Sequence, residues 1–111
     1  MIEVIILPSF DKSSKRLIKK YKSLASEISG FIFLTEKEGA QGILLGNGIY
    51  KARLAVKSKG KGKSGGLRVV SYHELLVSVK NSTVYLVTIY DKNEISLLSK
   101  AEIERILREY I

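Results

Sequence analysis

Arg68, Tyr90 and Lys92 are the residues of this chain whose types best suit chemistry: a planar cation, a phenol and a mobile ammonium. An arginine fork matches two phosphate oxygens at once, while a lysine adds a point charge. A tyrosine can stack on an unpaired base. On RNA such a set needs no metal. The 2′-OH can attack the adjacent phosphate if a base takes its proton and cations stabilise the pentacoordinate charge. Losing one such stabilising donor costs on the order of 10²–10³ in rate. Six more cations, Lys51, Arg53, Lys57, Lys59, Lys61 and Lys63, share one stretch with Arg68, and no acidic residue interrupts it. Charges so dense repel one another unless a polyanion neutralises them. Charge alone leaves two readings open, nucleic-acid binding and a solvated basic loop.

The acid/base partner is the weak point of this chemistry. His73 is the only histidine and therefore the first suspect. Strand alternation sets it opposite Arg68, which reads as a structural or surface position. Tyr90 and Lys92 ordinarily titrate near 10, a poor match to neutral pH unless cations depress them. Each also has a plainer reading, sheet packing for Tyr90 and a strand-end surface charge for Lys92. Gly60–Ser64 superficially resembles a phosphate-binding loop, but the glycine spacing fails and a β-rich segment stands where a helix is required. Glu102, Glu104 and Glu109 read as a solvated helix face.

The net charge of +8 lies mostly in residues 51–111, which carry twelve basic and six acidic side chains. A hydrophobic share of 45% is enough to bury a core, so 1–111 reads as one folded domain. With no cysteine there is no disulfide framework or thiolate metal site, and one histidine makes a zinc site a poor fit. No metal or other cofactor is expected. Apolar runs such as Val4–Leu7 and Ile43–Leu45 are too short to span a bilayer, and no secretory leader is evident. A soluble cytoplasmic protein without membrane association is the expectation.

The elements that must position these residues can be read from hydrophobic period. Ile2–Leu7 predicts a buried strand stopped by Pro8, with Ser9 and Asp11 as caps for the next element. Leu17, Tyr21, Leu24 and Ile28 fall on one helical stripe, giving a helix over about 11–25. A second helix is expected over Ser26–Glu38, and a loop punctuated by Gly39, Gly42, Gly46 and Gly48 after it. Alternation then takes over. It predicts a strand around Tyr50–Val56, a Lys/Gly/Ser loop over Lys57–Gly66, a strand over Leu67–Val79, an Asn81–Ser82 turn and a strand over Thr83–Lys92. Ser99 and Glu102 have capping-box spacing before a helix whose apolar stripe is Ile103, Ile106, Leu107 and Tyr110. The expected class is α+β, a mostly antiparallel sheet with two N-terminal helices packed on one face and a C-terminal helix. Strand parity then gathers Lys51, Arg53, Arg68, Tyr90 and Lys92 on one sheet face, with Thr88 beside Tyr90 and with Val87 and Ile89 opposite. A register slip of one residue would break that grouping.

Three segments carry a family resemblance: Gly46-Asn47-Gly48-Ile49-Tyr50-Lys51-Ala52-Arg53, Gly62-Lys63-Ser64-Gly65-Gly66-Leu67-Arg68-Val69-Val70 and Tyr85-Leu86-Val87-Thr88-Ile89-Tyr90-Asp91-Lys92. Together they resemble the RelE/HigB type II toxin superfamily, in particular its HigB-like branch. The resemblance covers residues 46–111 by motif and the N-terminal half by element order. It implies a compact RelE-like domain and a ribosome-dependent endoribonuclease that cuts mRNA and inhibits translation. It also implies a cognate antitoxin partner. Arg68 looks like the family arginine that stabilises the phosphate, and Lys92 like the basic residue near the end of the last strand. Lys51 and Arg53 sit where the family places substrate-contacting cations, and Tyr90 is a looser match. RelE-like members use a tyrosine further along, which Ser96–Ser99 lacks. A non-catalytic RNA- or ribosome-binding module is the alternative reading.

Overall fold

Five strands form where the sequence suggested four. The computed structural model describes residues 2–60, 66–74, 81–94 and 98–111. In chain order the elements are β1 (Glu3–Ile6), α1 (Pro8–Lys20), α2 (Leu24–Glu38), β2 (Ile43–Gly46), β3 (Ile49–Leu54), β4 (Leu67–Glu74), β5 (Thr83–Asp91) and α3 (Lys100–Tyr110). They build an α+β domain on one mixed sheet of order β1-β5-β4-β3-β2. β2 through β5 pair antiparallel, and β1 joins β5 in parallel. Among the described residues no helix is long and apolar enough to cross a membrane.

Period decides which face each element buries. In α1, Phe10, Ser14 and Leu17 share a stripe, and in α2 Leu24, Ile28, Phe31 and Thr35 do. Both stripes pack on the sheet face formed by Ala52, Leu54, Leu67, Val69, Val84, Leu86 and Ile89. Each large apolar side chain buried there contributes about 1.5–3 kcal/mol. Ile49, Val70, Val87 and Tyr90 lie in the second core, covered by Ile103, Ile106 and Leu107 of α3. The third helix therefore caps the opposite face from the first two.

Several boundaries differ from the sequence reading. Pro8 opens α1, because its missing N–H is one that a first-turn residue leaves unbonded anyway. Ser9 lies inside that helix and donates its hydroxyl to the Val87 carbonyl, so it is not a cap. The single stripe expected over 11–25 is two helices, broken where Tyr21 turns extended with φ −121° and ψ 109°. The expected glycine-rich loop contains the β2–β3 hairpin, turned by Asn47 at φ 51° and Gly48 at φ 77°. Asn-Gly between apolar residues is the strongest short-range hairpin signal, and this chain carries it. Ser99 caps α3, its hydroxyl accepting from the Glu102 N–H at 3.2 Å and donating to the Glu102 carboxylate at 3.0 Å. Tyr110 stays exposed, so it lies outside the α3 stripe. The expected strand residues 75–79 fall outside the described residues, as do Lys61 and Lys63.

Candidate functional site

Register brings the candidate residues together. Arg53 on β3 lies opposite Arg68 on β4, and Arg68 lies opposite Tyr90 on β5. One row further along the same face, Lys51 pairs with Val70, and Val70 with Thr88. The alternation of β3, β4 and the end of β5 thus places Lys51, Arg53, Arg68 and Tyr90 on one sheet face. Lys92 stands in the turn after β5. Val87 departs from the expected parity. A bulge there shifts the β4–β5 register between Val70 and Ser71, and Val87 joins Tyr90 in the second core. Arginines directly opposite one another repel.

The row opens onto a cleft of about 880 Å³. β2 ends its pairing at Lys51, so the outer edge of β3 from Ala52 onward is left uncovered and the cleft wraps around it. Its walls are Lys51, Arg53, Arg68, Tyr90 and Lys92 on the cation side, and Phe31, Leu34 and Ile43 on the apolar side. Gly42 holds β2 against β3 where a Cβ would lie 2.2 Å from the Lys51 carbonyl oxygen. Glu27 is the one carboxylate among the described lining residues. It is already committed, accepting the Lys57 N–H at 2.7 Å and the Ser23 hydroxyl at 2.9 Å. The electrostatics of the cleft are those of an anion site. No protein-family model and no curated protein matches this chain.

The side chains within the cleft differ in what they can do. Arg68 is only 6% exposed, and its guanidinium reaches back to the Leu67 carbonyl oxygen at 3.4 Å. Arg53 and Lys92 are exposed and Lys51 is half-buried. Tyr90 is 4% exposed, and burial pushes its phenol above its ordinary pKa, with the Arg68 cation only partly offsetting this. Tyr90, a candidate whose ordinary pKa already matched neutral pH poorly, is therefore held protonated there, as a donor and a packing group. No group of three or more His, Asp or Glu able to hold a metal ion forms among the described residues.

Lys59 requires a correction. It was expected in the exposed basic loop with Lys57, but its side chain is 9% exposed and its ammonium lies 3.5 Å from the Asp91 carboxylate. The 3₁₀ turn Lys57–Lys59 roots that loop against α2. Ser58 and Ser23 exchange bonds, the Ser58 N–H reaching the Ser23 hydroxyl at 3.0 Å and the Ser23 N–H reaching the Ser58 hydroxyl at 3.2 Å. Lys57 itself stays exposed. Glu27, Ser23 and Asp91 were missed as site-building residues. For Asp91 a signal existed, since parity sends it to the helix side of the sheet, where an acid must find donors.

His73 lies on the face opposite Arg68, as alternation indicated. Its Nε2 meets the Ser82 hydroxyl at 2.6 Å, and Gly39 leaves just enough room for its ring. Burial pushes its pKa below the ordinary 6.5. The unfolded chain therefore takes up a proton at a higher pH than the native one. Stability is full above about 6.5, falls as pH drops below it, and levels off beneath the native pKa. The urea midpoint is expected to decline between pH 7.5 and 5.5, and His73→Gln to flatten that decline. An unchanged slope in His73→Gln would place the effect elsewhere.

Proposed function

We propose that the chain is a metal-independent, ribosome-dependent endoribonuclease of the RelE/HigB type, the toxin of a type II toxin–antitoxin pair acting in the cytoplasm. The observation that carries this reading is the cross-strand row Arg53–Arg68–Tyr90, flanked by Lys51 and Lys92 at an open cleft. Arg68 sits deepest and supplies a preorganised fork for the scissile phosphate. Lys92 supplies a positive charge where the leaving 5′-oxygen develops, and Lys51, Arg53 and Lys57 hold the flanking backbone. Tyr90 donates a hydrogen bond and packs the floor. The nucleophile is the RNA's own 2′-OH, so the protein's task is positioning and charge stabilisation.

Among the described residues no histidine lines the cleft, and its phenol is held protonated. Such a site is slow on free RNA and gains most when another body presents the substrate strained and in line. This supports dependence on the ribosome. An excess of eight positive charges favours an acidic antitoxin as the neutralising partner. The same missing near-neutral acid/base group favours the second reading, a non-catalytic RNA- or ribosome-binding module.

The two are separated by inducing the wild type and the double variant Arg53→Ala/Lys92→Ala in bacteria, with growth curves and 5′-end mapping of cellular mRNA. Both residues are exposed, so the fold is retained. Growth arrest with new in-frame mRNA ends, both lost in the variant, is the result expected of the endoribonuclease. Arrest without new ends identifies the binding module, and no arrest by the wild type overturns both.

A further inference from the structure

Lys92 stands in a turn whose side-chain anchors Tyr21, Lys59 and Arg16 come from the far side of the sheet. The Asp91 carboxylate, 2% exposed, accepts the Asn93 N–H at 2.9 Å and the Tyr21 hydroxyl at 2.7 Å, and meets the Lys59 ammonium at 3.5 Å. The Asp91 carbonyl accepts the Glu94 N–H at 2.9 Å. The Glu94 carboxylate in turn takes two bonds from Arg16, at 2.9 and 3.2 Å. Burying a carboxylate is costly, and convergent donors are needed to offset the lost hydration. A buried ion pair of this kind is weak evidence for stability, and in some proteins it fixes geometry. Asp91 pairs with Leu67 on the helix side, so the chain reverses just as Lys92 emerges on the cleft side.

We propose that Asp91, held by Tyr21 and Lys59, is a positioning residue that aims Lys92 into the cleft and makes it one of the phosphate contacts there. This rests on the reading of the cleft as an RNA site. Charge alone gives the opposite sign. Asp91→Asn raises the net charge by one and should tighten the grip on any polyanion. Positioning demands that it weaken that grip, because Lys92 loses its fixed place. Tyr21→Phe makes the same demand with no change of charge, from a residue that does not line the cleft.

The experiment is the affinity of the purified protein for an eight-nucleotide oligouridylate over a salt series, with thermal melts confirming that each variant is folded. Lys92→Ala is expected to reduce the slope of log K against log salt by about 0.7, roughly a 2.5-fold smaller change between 50 and 200 mM. Asp91→Asn and Tyr21→Phe should reproduce that loss, and Asp91→Asn/Lys92→Ala should lose no more than Lys92→Ala. A merely structural role would lower the melting temperature and leave the slope of the folded protein intact. If Asp91→Asn fails to fold, Tyr21→Phe decides alone. A slope changed by Lys92→Ala but not by Asp91→Asn or Tyr21→Phe overturns the positioning role and keeps the cleft. A wild-type affinity indifferent to salt, or a slope that Lys92→Ala leaves unchanged, overturns both.

Discussion

Arg68→Met is expected to slow cleavage of ribosome-bound mRNA on the order of 10²–10³-fold while the melting temperature stays near that of the wild type. Arg68 is nearly buried, between Arg53 and Tyr90 in the cross-strand row and beside Val70 in its own strand. Its aliphatic stem therefore packs as well as carries charge. Truncation to alanine would mix a cavity with the loss of the guanidinium. Methionine keeps the unbranched stem and removes only the fork. Arg68→Lys should recover part of the affinity and little of the rate, because a point charge cannot engage two phosphate oxygens in one plane. Single-turnover cleavage on programmed ribosomes, beside thermal melts, measures both quantities. A methionine variant within a few-fold of the wild-type rate would remove Arg68 from the chemistry.

A large loss of stability is expected from Gly66→Ala. A Cβ at Gly66 would lie 2.0 Å from the Leu54 carbonyl oxygen and 3.2 Å from the Ala55 Cα. The obstruction is backbone, so β3 and β4 must part to admit it. Overpacking costs about 1–3 kcal/mol where side chains can yield, and here the upper end or more is expected. Small domains hold only about 5–15 kcal/mol in all. The melting temperature should fall by about 10 °C or more, at about 4–8 °C per kcal/mol. Because Leu54 pairs with Leu67, and Arg53 with Arg68 next to it, RNA affinity should fall with stability. Gly30→Ala is the control. Nothing lies within 4 Å of a Cβ there, and the helix interior favours alanine by about 1 kcal/mol. Equal melting temperatures for the two variants would refute the steric argument.

Much of the cleft was legible because parity is a local property. Lys51 and Arg53 stand two apart on β3, and Tyr90 lies beyond the Val87 bulge that disturbs the rest of β5. The phases of the three strands were thus readable one by one. What parity could not supply was pairing at a distance. The parallel union of β1 with β5, and the placing of α3 on the cation face, depend on which surfaces remain open after the others have packed. Lys59 illustrates the same limit. Its neighbours in sequence are polar or glycine, and it is Asp91 and the Tyr21 ring, both distant in the chain, that withdraw it from the solvent-facing set. Tyr21 fitted a continuous helical stripe, yet its hydroxyl is claimed by the same carboxylate and the helix breaks there. Periodicity reports the apolar surface of a chain, while a buried acid recruits its donors by geometry that no period encodes.

The pairing of Glu3 with Thr83 also orders events during synthesis. α1, α2 and the β2–β3 hairpin make local contacts and can form early, but β5 is the central neighbour of both β1 and β4. Closing so long a span costs more chain entropy than local pairing and is intrinsically slower. Tyr90 and the turn bearing Lys92 do not exist until that strand has been made, and the apolar faces of both helices have no complete sheet to rest on before it. The cation-lined surface therefore arises only after elongation has passed Lys92.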